Sequence, residues 1–166
     1  MSNATVQDLL DRAEIHDVLM RYFHGVDSGD REVVRSCFTE DVAAHYDGRE
    51  PVKGVDALIA QIVLFDNLAT GACKVSTHFA GNLQFKQIAG DSAETETNIF
   101  AFLVARDGGS VAMRSLRHID RLRRQDGKWK IYARLHTLDW SCDLPCTSAR
   151  AFGQKLTKLP AHLVSG

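Results

Sequence analysis

"KVSTHFAGNLQFKQIAGDSAETETNIFAFLVA", Lys74 to Ala105, decides how the chain folds. Val75, Phe79, Leu83 and Phe85 recur on one side of its first half, the alternation of a strand. Ala89, Gly90 and Asp91 supply a turn, and the second half alternates weakly before becoming apolar. Downstream, "RDGG" (106–109) and "QDGK" (125–128) mark two further turns between "SVAMRSLRHIDRLRR" and "KWKIYARLHTLDW". The second half therefore reads as an antiparallel meander.

Upstream the period changes from strand to helix. Thr5 and Asp8 form a capping-box pair. Leu9, Leu10, Ala13, Ile15, Val18, Leu19, Tyr22 and Val26 then recur at helical spacing, and Ser28-Gly29 is a stop signal. Asp30 caps a short second helix carrying Val33, Val34 and Phe38. "FTEDVAAHYDG" predicts a short strand, and a third helix is expected over Val55 to Leu68. Helices first and antiparallel strands after give an α+β domain. A strongly curved sheet wrapped by N-terminal helices makes a cone-shaped barrel with a cavity. That shape accounts for strands lacking clean alternation. The domain is expected over residues 1–140. A weakly periodic tail over 141–166 either covers a neighbouring subunit or is mobile.

Composition narrows the function. The 166 residues are 45% hydrophobic and 25% charged, with a formal net charge of −1. No global field favours nucleic acid or an anionic membrane. Arg121, Arg123, Arg124, Lys128 and Lys130 flank a hairpin and read as a solvated strand end. The longest apolar stretch, "ALIAQIVLF", is too short to span a bilayer. Cys37, Cys73, Cys142 and Cys146 contain no C-x-x-C pair and read as free thiols of a cytoplasmic protein. Histidines 16, 24, 45, 118, 136 and 162 form no recognisable ligand pattern, so no metal is expected.

Four polar residues stand inside apolar segments: Tyr22, Asp27, His78 and Arg134. Each has a plain alternative. Tyr22 suits a core position with a bonded hydroxyl. Asp27 suits a solvated helix end, although a helix C-terminus repels an anion. His78 and Arg134 suit a polar sheet face. Tyr22 and Asp27 are also about 140° apart around a helix. They flank one pocket only where the helix edge borders it or its end unwinds.

Together the motifs "RYFHGVD" (21–27), "HFAGNL" (78–83) and "DGKWKIYAR" (126–134) resemble the SnoaL-like branch of the nuclear-transport-factor-two-like superfamily. The resemblance runs from about Ala13 to Trp140. The branch includes polyketide cyclases, scytalone dehydratase, bile-acid dehydratase and hexachlorocyclohexane dehydrochlorinase. It implies the cone-shaped fold. By similarity to the dehydrochlorinase it implies a dyad of Asp27 and His78, with Arg134 contributing. Tyr22 stands where the dehydrochlorinase has a lysine, and the two dehydratases have a functional tyrosine in that region, which points away from dehalogenation. Pairing into dimers or trimers is implied as well.

These residue types make one scheme. A carboxylate fixes the imidazole tautomer, and His78 removes a proton from carbon beside a carbonyl or a leaving group. Tyr22 donates to the developing oxyanion or protonates a departing hydroxyl, while Arg134 holds an oxyanion or leaving group. Nothing here needs a cofactor. Phe23, Val26, Leu64, Phe65, Phe100, Phe102 and Trp140 are candidate apolar walls, with Asn82, Asn98 and Tyr46 as polar lining. Such a cavity suits a small alicyclic, aromatic or steroid-like substrate in dehydration, isomerisation or cyclisation. The alternatives are a non-catalytic subunit, like the small subunit of aromatic-ring-hydroxylating dioxygenases, and a binding module.

Overall fold

The computed structural model describes residues 5–155, 158–160 and 163. Helix α1 (Val6–Ser28) starts on the Thr5/Asp8 capping box. It ends where Gly29 turns left-handed at φ 69°. Helix α2 (Arg31–Ser36) is capped by the Asp30 side chain. Gly25 lets the two helices close, because a Cβ there would meet Val34 Cγ2 at 2.8 Å and Val33 Cγ1 at 2.9 Å. Strands β1 (Phe38–Tyr46) and β2 (Val52–Lys53) follow, then helices α3 (Val55–Gln61) and α4 (Leu64–Ala69).

The single third helix expected over Val55 to Leu68 is thus two. The β-branched pair Ile62-Val63 interrupts it, and Arg49 takes the Gln61 carbonyl that would have carried the helix on. Gln61 in turn donates to the Glu50 carbonyl at 2.8 Å.

Four long strands complete the domain: β3 (Cys73–Ala89), β4 (Ser92–Ala105), β5 (Ser110–Gln125) and β6 (Lys128–Pro145). The sheet order is β2-β1-β6-β5-β4-β3, and only the β1–β6 pair is parallel. The sheet is curved but not closed. Asp126 and Gly127 both have positive φ, as the tight β5–β6 turn requires. Strand β6 runs past Trp140 because Ser141 to Pro145 pair with Arg114 to Ser110, although their side chains carry no pattern. Beyond it a turn at Phe152–Gln154 packs Phe152 on Gly29, so this part of the tail returns to its own α1.

One face of the sheet packs on α1, with Ile15, Leu19, Phe38, Leu58, Ile99, Leu122 and Ile131 in the core. Buried Asp11 ties α1 to the β5–β6 hairpin by accepting from Arg124 and, at 3.4 Å, from Trp129. The other face carries a row of aromatics. Phe79 pairs with Phe100 across β3–β4, Phe100 with Ser115, and Ser115 with Trp140. The three rings are 66%, 38% and 47% exposed.

Candidate active site

Strand β3 changes phase in its middle, and this positions the site. Ser76 and His78 point inward, whereas after the register shift between Gly81 and Gln84 it is Leu83 and Phe85 that do. The extra residue is Asn82, at φ 44°. The even side of the strand's first half is therefore interior, the reverse of an alternation drawn through Val75, Phe79, Leu83 and Phe85.

Helix α1 stays helical through Asp27, and its edge lies against β3, so Tyr22 and Asp27 are both buried. The Asp27 carboxylate accepts three hydrogen bonds. Ser76 Oγ donates to Oδ1 at 2.8 Å and the His78 backbone N–H to Oδ2 at 2.7 Å. His78 Nδ1 lies 2.7 Å from Oδ1. Burial works against the charge, but the bonds from His78 and Ser76 prevail and hold the carboxyl below its usual range. An ionised carboxylate only accepts, so Nδ1 carries a proton, and in the neutral tautomer this selects the lone pair is on Nε2.

His78 is on the wall of a cavity of about 210 Å³. Tyr22 and Val26 of α1 line it, with Tyr46 of β1, Ile62, Val63 and Leu64 before and within α4, and Ala101 and Leu103 of β4. Arg114 and Leu116 of β5 and His136 and Leu138 of β6 face them, and Asp47, Arg49 and Gln61 stand at the rim. The Tyr22 and Tyr46 hydroxyls are 3.1 Å apart. Burial, and then the neighbouring Tyr46, raise the Tyr22 phenol well above its ordinary pKa, so it remains a proton donor.

Arg134 is elsewhere. Its guanidinium is fully buried and bound by two contacts to Asp120, at 2.7 and 2.8 Å. It lies 4.1 Å from the Tyr22 ring centroid. It supports the cavity floor from behind Tyr22 and is not part of the lining. Burial opposes its charge, but Asp120 outweighs that and keeps it protonated.

Several expected lining residues are also placed differently. Phe23 is core, stacked between the His78 and His118 rings at centroid distances of 5.9 and 5.4 Å. Phe65 is core beneath Arg31. Asn98, Phe100 and Phe102 take the outer face of β4, because its buried side is Thr95, Thr97, Ile99 and Ala101. Trp140 packs on Phe100 outside, and Asn82 is exposed at the bulge.

Two interior histidines stand out that composition alone did not single out. His118 is buried between Tyr22 and Phe23, and His136 stacks on Tyr46 at 4.7 Å. Burial, reinforced by the Arg134 charge, pushes His118 well below its ordinary pKa and His136 down to about 4. Both are neutral. The parity of Arg134 and His136 on β6 was a usable signal for the second. His162 lies outside the described residues.

Comparison with solved structures gives the same fold. A scytalone dehydratase candidate from Novosphingobium aromaticivorans DSM 12444 superposes with TM-score 0.73 at 17% identity, covering 90% of this chain and 97% of that one. Hexachlorocyclohexane dehydrochlorinase LinA-type3 from Novosphingobium barchaimii LL02 gives TM-score 0.69 at 18% identity, covering 86% and 94%. A Mycobacterium tuberculosis protein of unknown function gives 0.66 at 26%, covering 80% and 74%. A search of curated proteins found no match. The SnoaL-like domain profile matches residues 7–134, which include Tyr22, Asp27, His78 and Arg134. The chain belongs to the SnoaL-like domain family.

Proposed function

We propose that this cavity is the active site of a cofactor-independent lyase or isomerase acting on a compact cyclic compound. The observation that carries the reading is the imidazole braced at 2.7 Å by a buried carboxylate while lining a half-open hollow of mixed apolar and polar walls. His78 Nε2 takes a proton from carbon next to a carbonyl, and Asp27 stabilises the imidazolium. The electron pair moves into an enolate, whose oxygen receives a hydrogen bond from the Tyr22–Tyr46 pair. Returning the proton to another carbon isomerises the compound. Expelling a β-hydroxyl that collects a proton dehydrates it. About 210 Å³ is below the ~300–1,000 Å³ of drug-sized sites, which favours one ring over a steroid.

The exposed row of Phe79, Phe100 and Trp140 supports a second part of the proposal, self-association through the outer sheet face. Sedimentation of F100E beside the parent chain tests it.

The chemistry is tested without knowing the natural substrate. Deuterium exchange α to the carbonyl of simple cyclic ketones is followed by proton NMR in D₂O. The expected result is catalysed exchange that falls about 10²–10⁴-fold in His78→Ala. Equal rates for the two proteins across the ketones would remove the mechanism.

A further inference from the structure

Arg114 lies in the same row of the sheet as His78. His78 pairs with Ala101 across β3–β4, and Ala101 pairs with Arg114 across β4–β5. All three line the cavity. Two strand spacings put the His78 and Arg114 Cα atoms about 9.6 Å apart. The residue between them is an alanine, whose methyl group occupies little of the space above it.

Arg114 is exposed at the cavity mouth, where its guanidinium meets solvent. Every other arginine of β5 has a carboxylate: Arg117 has Asp139, Arg121 has Glu94, Arg123 has Asp41, and Arg124 has Asp11. Among the described residues Arg114 has none. The guanidinium that the resemblance offered for an anion, Arg134, is bound to Asp120 through Nε and Nη2 and does not line the cavity. Arg49, the other rim cation, is engaged by the Gln61 carbonyl. Asp47, the rim carboxylate, accepts from the Leu138 N–H at 3.3 Å.

We propose that Arg114 is a specificity-determining residue that binds a carboxylate on the substrate, one ring's width from the carbon facing His78. The spacing supports this. Side chains standing perpendicular to the sheet keep their tips at most about 9.6 Å apart on a concave face, and subtracting about 3 Å for contact at each end leaves at most about 4 Å, the span of one six-membered ring with its exocyclic carbon. The substrate class becomes a monocyclic keto or hydroxy acid. Arginine suits the task because its planar fork meets a carboxylate through two parallel hydrogen bonds. The proposal rests on the cavity being the ligand site, as above.

The test uses 4-oxocyclohexanecarboxylate and its neutral counterpart 4-methylcyclohexanone with the full-length protein. Binding is read by ligand-observed NMR titration and exchange is read separately in D₂O. The acid is expected to bind about tenfold tighter than the neutral ketone at low salt. The preference should shrink as salt rises, be partly kept in Arg114→Lys and fall to about one in Arg114→Gln. An acid-to-neutral ratio near one in the parent chain, or an unchanged ratio in R114Q, overturns the inference. The two readings separate cleanly. Preference without His78-dependent exchange supports the Arg114 assignment and refutes the proposed reaction. Exchange without preference does the reverse.

Discussion

Acidification should destabilise the fold well above the pH at which carboxylates titrate, and the cause is the pair of buried neutral imidazoles. His136 has an ordinary pKa of 6.5 and a folded one of about 4. His118 shifts in the same direction. The charged neighbour common to both is Arg134, with His78 also facing each and Asp47 acting in the opposite sense on His136. In both cases the folded value lies below the unfolded one. The unfolded chain therefore binds protons first as pH falls through 6.5, and stability that is full above that value declines toward pH 4. Each histidine contributes a slope of about 1.4 kcal/mol per pH unit within the window. His136 alone removes about 3 kcal/mol by pH 4, against a typical total of about 5–15 kcal/mol. Asp27 does not confound the measurement. Its folded pKa is depressed, so its stabilisation is full above the ordinary carboxylate value of 3.8 and is lost from about there downward, beneath the measured range. Urea unfolding at half-unit steps from pH 7.5 to 4.5, for the parent chain and His136→Gln, reads the slope directly. The variant should lose about half of it. A flat parent profile between pH 6.5 and 5, or an undiminished slope in H136Q, would refute the reasoning.

Three further outcomes are expected. Asp120→Asn or Arg134→Met strands one fully buried charge and should cost about 3–5 kcal/mol in urea unfolding, with the double change D120L/R134M recovering most of it; single variants within 1 kcal/mol of the parent would contradict the buried pair. Asp27→Asn removes the charge that stabilises the imidazolium and should lower ketone exchange about a hundredfold, so an active D27N excludes the dyad. Gly25→Ala gains about 1 kcal/mol of helix propensity but drives a methyl into Val33 and Val34, an overpacking cost of about 1–3 kcal/mol; calorimetry should therefore show a lower melting temperature, and a raised one would show that α2 yields.

The helix ends were legible in the sequence because their signals are local. Thr5, Asp8, Gly29 and Asp30 each act on backbone within four residues. The turns were legible for the same reason, down to the positive φ of Asp126 and Gly127. What failed was phase. A single inserted residue at Asn82 exchanges the two faces of β3, and a pattern traced through Phe79 and Phe85 runs straight across it. On β4 the aromatics Phe100 and Phe102 looked like cavity wall, yet Ile99 and Ala101 hold the interior and the aromatics take the outer face. Bulk on the outer face is evidence about association, not about a ligand. Arg134 was placed by motif, but its partner Asp120 is visible only in the β5–β6 register. Arg114 carries no motif at all and emerges once His78 fixes which row of the sheet faces inward.

The Asp27 carboxylate holds more than the imidazole. Strand β3 ends the sheet, with β4 on one side only, so the His78 N–H that Asp27 accepts belongs to the free margin. Left uncovered, a margin of this kind is where a foreign strand would dock and seed polymerisation, and here the end of α1 lies against it. The acid that orients the His78 ring thus also occupies this stretch of the margin. A variant that loses it should be watched for fibril-like association, a readout independent of any chemistry at the cavity.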